Sequence, residues 1–192
     1  NEEGEKVEPK SILSINEYLE IQGKLYKILG VSLYKNILTL EKTNLPKNQL
    51  YSTQVGFESF PFEGKDFETK SSISMNSLKG KYIFLDFWSV HCGPCIYEIP
   101  NLKQLYGKID KSKFEIIGIV GNSTPDELEK MINQKSITWP QILSNDTNKI
   151  EEDYGIYKYP TTFLLNPQRT IIAKDLRGKE LEDKVLSLIT ER

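Results

Sequence analysis

The chain has 192 residues, of which 38% are hydrophobic and 27% are charged, and its formal net charge at pH 7 is −2. These values are typical of a soluble globular protein, and the length fits one domain or one domain with an extension. The nearly balanced charge gives no electrostatic reason to expect binding to nucleic acid or to an anionic membrane. The longest apolar runs are a few residues long, far short of the about 20 that span a bilayer.

The start of the chain leads us to expect that any targeting signal has been removed from it. It begins at Asn1 without a Met and without a basic-then-apolar leader. We therefore expect a processed product whose removed N-terminal segment could have tethered the protein to a membrane. Residues 1–10 are charged and lack periodicity, so we expect them to be disordered or to serve as a tether.

Residues 11–50 fit two kinds of secondary structure. Their apolar positions lie near helical spacing, but they also fit a strand broken by Gly30, and periodicity does not decide between these alternatives. Pro46 marks a boundary before a clearer pattern. We assign 1–50 to an N-terminal extension of uncertain structure and 51–192 to the main domain.

From residue 51 onward, strands and helices alternate. Two continuous apolar runs, YIFLDFW and FEIIGIV, are of the kind expected for strands buried on both faces. A helix is expected after each run. The first is PCIYEIPNLKQLYGKI, and we expect Pro100 to kink it after its first turn. The second is TPDELEKMINQ, which starts with a capping box of Thr124 and Glu127. A short helix, two strands joined at Asn166–Pro167 and an amphipathic helix complete the chain: DTNKIEEDY, TTFLLN, TIIAKD and GKELEDKVLSLI. This order predicts an α/β three-layer sandwich, with a mixed central sheet and helices on both faces.

Cys92 and Cys95, in the run HCGPC, are the only cysteines in the chain. Zinc normally takes four protein ligands or three plus water, and the single histidine, His91, directly precedes Cys92, so the sequence does not favour a metal site. A structural disulfide across two intervening residues would close almost no loop and would add little stability. A redox couple benefits from the same spacing, because the second thiol can always resolve a mixed disulfide. The motif therefore favours a redox-active pair.

The surroundings of the two cysteines predict which one attacks. A buried strand ends just before them, and a helix is expected to begin at Cys92. Unpaired N–H groups and the helix dipole favour a thiolate at this position and lower the pKa of the Cys92 thiol. Cys95, one turn into the helix, should be more buried. We predict that Cys92 is the attacking sulfur and Cys95 the resolving one.

Three segments, in order along the chain, carry a resemblance to a known family. LDFWSVHCGPC resembles the thioredoxin active site, and CGPCIYEIPNL resembles its variant in membrane-tethered extracytoplasmic proteins of the TlpA/ResA type. GIYKYPTTFLLNPQRTI is similar to the cis-proline loop and hairpin of the family, and DELEKMINQKSITWPQILSND to the helix and strand that the TlpA/ResA type inserts. The resemblance covers about residues 51–192 and implies a thioredoxin-like fold.

The resemblance implies roles for two carboxylates. Asp86, six residues before Cys92, occupies the position of the buried carboxylate of thioredoxin, and Glu98 matches a carboxylate typical of the TlpA/ResA type. Cys95 must lose a proton before it resolves a mixed disulfide, and a carboxylate with a raised pKa could accept that proton through water. The alternatives are structural: a hydrogen-bonded Asp86 at a strand end, and a Glu98 that favours the helix dipole from the first turn.

The resemblance also implies a substrate-binding surface around the disulfide, consisting of Trp88, His91, Gly93, Pro94, Tyr159 and Pro160. Pro160 would follow a cis peptide bond and face the disulfide, and Tyr159 would offer its backbone to an incoming peptide. Trp88 could contact substrate or could pack beneath the active-site turn.

His91 departs from the family, which usually has Trp or another bulky residue before the first cysteine. It is either a solvated surface side chain or, when protonated, a cation that stabilises the Cys92 thiolate.

Together these features predict a thiol-disulfide oxidoreductase that reduces disulfides of envelope proteins outside the bacterial cytoplasm. We expect protein thiols and disulfides and an upstream dithiol electron donor as partners, no nucleic acid, no metal, and no cofactor beyond the Cys92–Cys95 disulfide. One alternative is a peroxiredoxin-type peroxidase, which would need a Pro-x-x-x-Thr-x-x-Cys run, whereas DFWSVHC contains neither the Pro nor the Thr. Another is a non-enzymatic binding protein in which residues 1–50 dock a partner.

Overall fold

The computed structural model describes residues 17–190, so the expected disorder of residues 1–10 lies outside the described part of the chain. The strands and helices are, in chain order, β1 Tyr18–Ile21, β2 Lys24–Ser32, β3 Ile37–Thr43, β4 Glu63–Lys65, β5 Ser72–Ser74, β6 Tyr82–Trp88, α1 Gly93–Lys108, β7 Phe114–Val120, α2 Pro125–Lys135, β8 Gln141–Leu143, α3 Ile150–Asp153, β9 Thr161–Leu165, β10 Ile171–Lys174 and α4 Gly178–Thr190. None of the helices in this part of the chain has the length and apolar character needed to cross a membrane.

The ambiguous N-terminal segment forms strands. Strands β1, β2 and β3 make a three-stranded antiparallel sheet, and its register shifts between Ile28 and Gly30, as a strand broken by Gly30 requires. Tyr18 packs with Leu50 and Phe57 in a small cluster. These contacts join the extension to the start of the main domain, and the division at residue 50 stays a prediction.

Five strands form the central sheet, in the order β10-β9-β6-β7-β8. Strand β6 pairs parallel with β7 and antiparallel with β9, and β7 pairs parallel with β8, so the sheet is mixed as predicted. Every residue of β7 and all but the first of β6 are buried, which explains the two continuous apolar runs in the sequence.

Helices cover both faces of this sheet. On one face, α1, α2 and α4 contribute Leu102, Leu128 and Leu181 to the larger core cluster. On the other face, α3 contributes Ile150 to a second cluster, together with Met75 from the segment that follows β5. The predicted three-layer sandwich is therefore confirmed.

Two details of the predicted helices differ in their outcome. The capping box of α2 is confirmed, because Thr124 Oγ1 accepts a hydrogen bond from the Glu127 backbone N–H at 3.3 Å and Glu127 Oε2 accepts one from Thr124 N at 2.8 Å. The kink expected at Pro100 of α1 stays a prediction. The helix starts directly after Cys92 and continues through Pro100, which is its eighth residue.

Candidate functional site

Cys92 and Cys95 form a disulfide at the start of α1. Cys92 is the N-cap residue of this helix, and its Sγ accepts a hydrogen bond from the backbone N–H of Cys95 at 3.2 Å. Pro94 lies within the first turn, where its missing N–H costs no helical hydrogen bond. In the reduced protein the same N–H would lie next to the sulfur of Cys92, and a donor at this position favours a thiolate.

The two sulfurs differ in exposure. Cys92 is partly exposed, whereas Cys95 is 4% exposed and belongs to the larger core cluster. Gly93 and Pro94, between them, are exposed. An incoming disulfide can therefore reach Cys92 more readily than Cys95.

The sheet topology brings the predicted site segments to one edge. Phe87 of β6 is opposite Thr161 of β9, so the C-terminal end of β6 and the N-terminal end of β9 lie side by side. The peptide bond between Tyr159 and Pro160, which enters β9, is cis as the resemblance implied. Because β7 is parallel to β6, the loop after Val120 reaches the same edge.

A contact that the sequence did not predict anchors Tyr159. Its hydroxyl donates a hydrogen bond to Glu151 Oε1 at 2.5 Å, next to α3 residues that pack into the core. Burial raises the pKa of Glu151. Burial is also the main reason that the pKa of Tyr159 is raised, and the hydrogen bond to Glu151 and the charge of Glu151 add to this effect. Gly121 leaves room for this pair, since a Cβ at position 121 would overlap both side chains. The side chain of Tyr159 is thus held within the protein. That its backbone binds a substrate stays a prediction.

Asp86 lies inside β6 rather than at its end, and it is 9% exposed. Burial raises the pKa of this carboxyl from 3.8 to about 7, the negative charge of Glu98 adds to the effect, and Arg177 opposes it. A carboxyl group with a pKa near 7 can accept and return a proton at physiological pH.

Glu98 makes contacts that its sequence position did not suggest. The expectation that it lies in the first turn of its helix is wrong, because α1 begins at Gly93 and Glu98 is its sixth residue. Its Oε1 accepts a hydrogen bond from the backbone N–H of Gly178 at 2.6 Å, and its Oε2 accepts one from Asn101 Nδ2 at 3.0 Å. Glu98 therefore binds the N-terminus of α4, where a negative charge is favoured by the helix dipole.

Trp88 lies in the core beneath the active-site turn. It is 2% exposed, and its indole N–H donates a hydrogen bond to Gln141 Oε1 at 2.9 Å. Of the two interpretations of Trp88, this placement favours packing beneath the turn over direct contact with a substrate.

His91 is at the surface and faces a carboxylate. Its Nε2 lies 3.5 Å from Glu127 Oε1, and both side chains are substantially exposed. Hydrogen bonds from Thr124, with His91 as a smaller contributor, hold the pKa of Glu127 below its usual range. The observed partner of the His91 side chain is therefore Glu127, and an action of His91 on Cys92 stays a prediction.

Comparison with known proteins identifies the family. The sequence profile of the AhpC/TSA family matches residues 55–174, which is more than half of the chain. The chain belongs to the AhpC/TSA family. A curated relative, the thiol-disulfide oxidoreductase ResA of Halalkalibacterium halodurans, is 29% identical over 138 residues, which cover 71% of this chain and 77% of the relative.

Solved structures in the thioredoxin superfamily match the same part of the chain. The thioredoxin domain of a thiol-disulfide oxidoreductase from Bacteroides vulgatus is 30% identical, with a TM-score of 0.67, and the match covers 72% of this chain and all of that domain. A thiol:disulfide interchange protein from Bacteroides sp. is also 30% identical, with a TM-score of 0.63 over 73% of this chain and 91% of that one. The predicted fold and the predicted class, thiol-disulfide oxidoreductase, are confirmed by these relatives.

Several residues of the site in this AhpC/TSA family member were not predicted as part of it. Arg177, Glu151 and Gln141 contact Pro160, Tyr159 and Trp88 respectively, and no motif marks them in the sequence. Glu127 carried a signal, the capping box, but that signal pointed to a helix start and not to His91. Within residues 17–190, no group of three or more His, Cys, Asp or Glu side chains is arranged to hold a metal ion.

The pairing of His91 with Glu127 leads to a test of whether His91 acts on Cys92. Glu127→Gln removes the carboxylate but keeps a residue that can complete the capping box. We expect this change to lower the thiolate fraction of Cys92 slightly, because a carboxylate beside an imidazole favours the imidazolium that would stabilise the thiolate. The titration midpoint of Cys92 should move up by only about 0.3 pH unit, since solvent screens exposed charges. Thiolate absorbance measured against pH in the reduced protein provides the midpoint.

The control for this test is the same substitution in a His91→Gln background, where it should change nothing. If Glu127→Gln shifts the midpoint equally with and without His91, the histidine does not transmit the effect and is a solvated side chain.

Proposed function

We propose that this protein is a reductase of protein disulfides that works outside the cytoplasm and cycles between the Cys92–Cys95 dithiol and disulfide. The observation that carries the proposal is the position of the two sulfurs: a partly exposed Cys92 at the N-cap of α1 and a buried Cys95 bonded to it. A pair with this asymmetry suits an attacking and a resolving thiol.

The reaction consists of two thiol-disulfide exchanges. The Cys92 thiolate attacks a substrate disulfide, the substrate S–S bond breaks, one substrate sulfur leaves as a thiolate, and a mixed disulfide forms. Cys95 then loses its proton and attacks the sulfur of Cys92. The Cys92–Cys95 disulfide forms, and the second substrate thiol leaves. Two electrons pass to the substrate, so an upstream dithiol protein must reduce the pair again.

Asp86 is the proposed acceptor of the Cys95 proton, since it is buried and its pKa of about 7 allows it to hold or release a proton near neutral pH. Glu98 supports this role because its negative charge helps to raise the pKa of Asp86. Its position is held by the hydrogen bond that it accepts from the backbone N–H of Gly178. Neither residue forms a bond to sulfur in this scheme.

The proposed docking surface surrounds the exposed part of the disulfide. In this proposal Gly93, Pro94 and His91 border the cysteines in the sequence, and Trp88 supports the turn from beneath. The cis Tyr159–Pro160 segment, which enters β9 at the same edge of the sheet, would offer its backbone to the substrate. The resemblance to extracytoplasmic TlpA/ResA proteins and the similarity to ResA support a location outside the cytoplasm, with protein disulfides as substrates. The chemistry of the pair requires no cofactor or metal.

Insulin reduction in the presence of dithiothreitol tests the proposed function. We expect catalysis by the wild-type protein and loss of it, to the uncatalysed rate, in Cys92→Ser, because no thiolate remains at the exposed position. Far-ultraviolet circular dichroism of both proteins controls for folding. Wild-type protein that leaves insulin intact but consumes hydrogen peroxide would instead support the peroxidase alternative.

A further inference from the structure

Arg177 reaches from the start of α4 to the cis-proline segment. Its Nη2 donates a hydrogen bond to the backbone oxygen of Pro160 at 3.0 Å. Its own backbone oxygen accepts a hydrogen bond from the N–H of Leu181, at 3.3 Å, in the first turn of α4. The side chain therefore connects a fixed helix start to the residue that enters β9.

Gly178, the residue after Arg177, connects the start of α4 to α1. The backbone N–H of Gly178 donates to Glu98 Oε1, and Gly178 has a φ of 50°, a left-handed conformation that glycine adopts without a steric penalty. Glu98 lies one turn beyond Cys95 in α1. The position of Arg177 is thus linked to the helix that Cys92 caps and that contains Cys95.

Arg177 also acts on the buried carboxyl of Asp86. Asp86 experiences the negative charge of Glu98 from α1 and the positive charge of Arg177 from the segment before α4. Its neighbours in the sheet, Gly118 on β7 and Thr162 on β9, carry no charge. Among the described residues, Arg177 therefore supplies a positive charge that opposes the effect of Glu98 on Asp86.

We propose that Arg177 is a positioning residue of the active site, which holds the carbonyl of Pro160 in place and opposes the negative charge of Glu98 at Asp86 while Cys95 gives up its proton. This proposal rests on the function proposed above. A guanidinium suits both tasks, because it stays charged over the whole working pH range and directs several N–H donors from one plane. A lysine would keep the charge but not the planar set of donors.

The test compares Arg177→Gln and Arg177→Lys with a matched control, Arg169→Gln. Arg169 lies in the turn between β9 and β10, where its side chain contacts Asn76, so the control removes the same charge away from the disulfide. Insulin reduction by the pre-reduced proteins is measured from about pH 5 to 9. Arg177→Gln should lower the rate about three- to tenfold near pH 6 and move the acid limb of the profile up by about half a pH unit.

The other two variants separate charge from contact. Arg177→Lys should return the acid limb to its wild-type position while recovering only part of the rate, because the charge is kept and the bond to Pro160 is weakened. Arg169→Gln should match the wild type in the rate and in the position of the acid limb. A rate and an acid limb unchanged by Arg177→Gln would overturn the proposal.

A second measurement does not depend on activity. Carboxyl-carbon NMR of the oxidised protein should show Asp86 titrating about half a pH unit higher in Arg177→Gln than in the wild type or in Arg177→Lys. An unchanged midpoint overturns the proposal whatever the activity. A shifted midpoint in a protein whose wild type does not reduce insulin rejects the proposed function alone, so the two failures are distinguishable.

Discussion

Cys95→Ser is expected to stop the reaction at the mixed disulfide and to slow product release at least about 100-fold. In the wild-type protein the second sulfur is part of the same helical turn, with the N–H of Cys95 3.2 Å from the sulfur of Cys92, so its attack is intramolecular. Intramolecular reactions between well-placed groups gain a very high effective concentration, which solution thiols do not match. Non-reducing electrophoresis and mass spectrometry of the variant with insulin measure the trapped complex.

The matched control for trapping is Cys92→Ser, which leaves the buried sulfur as the only thiol. Because Cys95 is 4% exposed, this variant should form little mixed disulfide, and an alkylating agent should label Cys92 of the reduced wild type much faster than Cys95. Equal trapping by the two variants would contradict the assignment of attacking and resolving sulfurs. In extracts of the native host, the Cys95→Ser protein would also identify the target proteins.

The sequence predicted the parts of the fold that depend on local pattern. The strand at 82–88 and the strand at 114–120 are buried on both faces, so their apolar runs are continuous and easily recognised. The capping box at Thr124 and the CGPC motif likewise combine residues close together in the chain. Strand β2 was ambiguous, because it is only partly buried and its register shifts at Gly30, which breaks the alternation expected of a strand.

The contacts that organise the site could not be predicted, because they join residues distant in sequence. Glu98 and Gly178 are separated by 80 positions, and Trp88 and Gln141 by 53. Nothing in the residues around Glu98 indicates that it binds the start of the last helix. The placement of Glu98 in the first turn was a misjudged position, since Glu98 is the sixth residue of α1 and a helical turn has 3.6 residues.

Asp86→Asn is expected to raise the free energy of unfolding by about 2–4 kcal/mol at pH 8 and to change it little at pH 4. Burial, reinforced by the charge of Glu98, raises the native pKa of Asp86 from 3.8 to about 7. Between pH 3.8 and about 7, the carboxyl of Asp86 loses its proton in the unfolded chain but keeps it in the native protein. Stability therefore falls as the pH rises through this window and stays lower above it. A difference of about 3 in pKa corresponds to about 4 kcal/mol, and asparagine, which does not ionise, avoids this loss.

Urea unfolding of the oxidised proteins at the two pH values measures this difference, with Asp146→Asn, an exposed loop position, as the control that should show none. The gain in stability should have a kinetic cost, because an amide cannot accept the Cys95 proton, and release of the mixed disulfide should slow more than its formation. If the carboxyl of Asp86 destabilises the fold at neutral pH and also speeds the second exchange, its role in proton transfer explains why it is buried there. For stability alone, an asparagine would be the better residue at this position. If the variant gains no stability at pH 8, or releases substrate at the wild-type rate, the carboxyl of Asp86 is not the acceptor of the Cys95 proton.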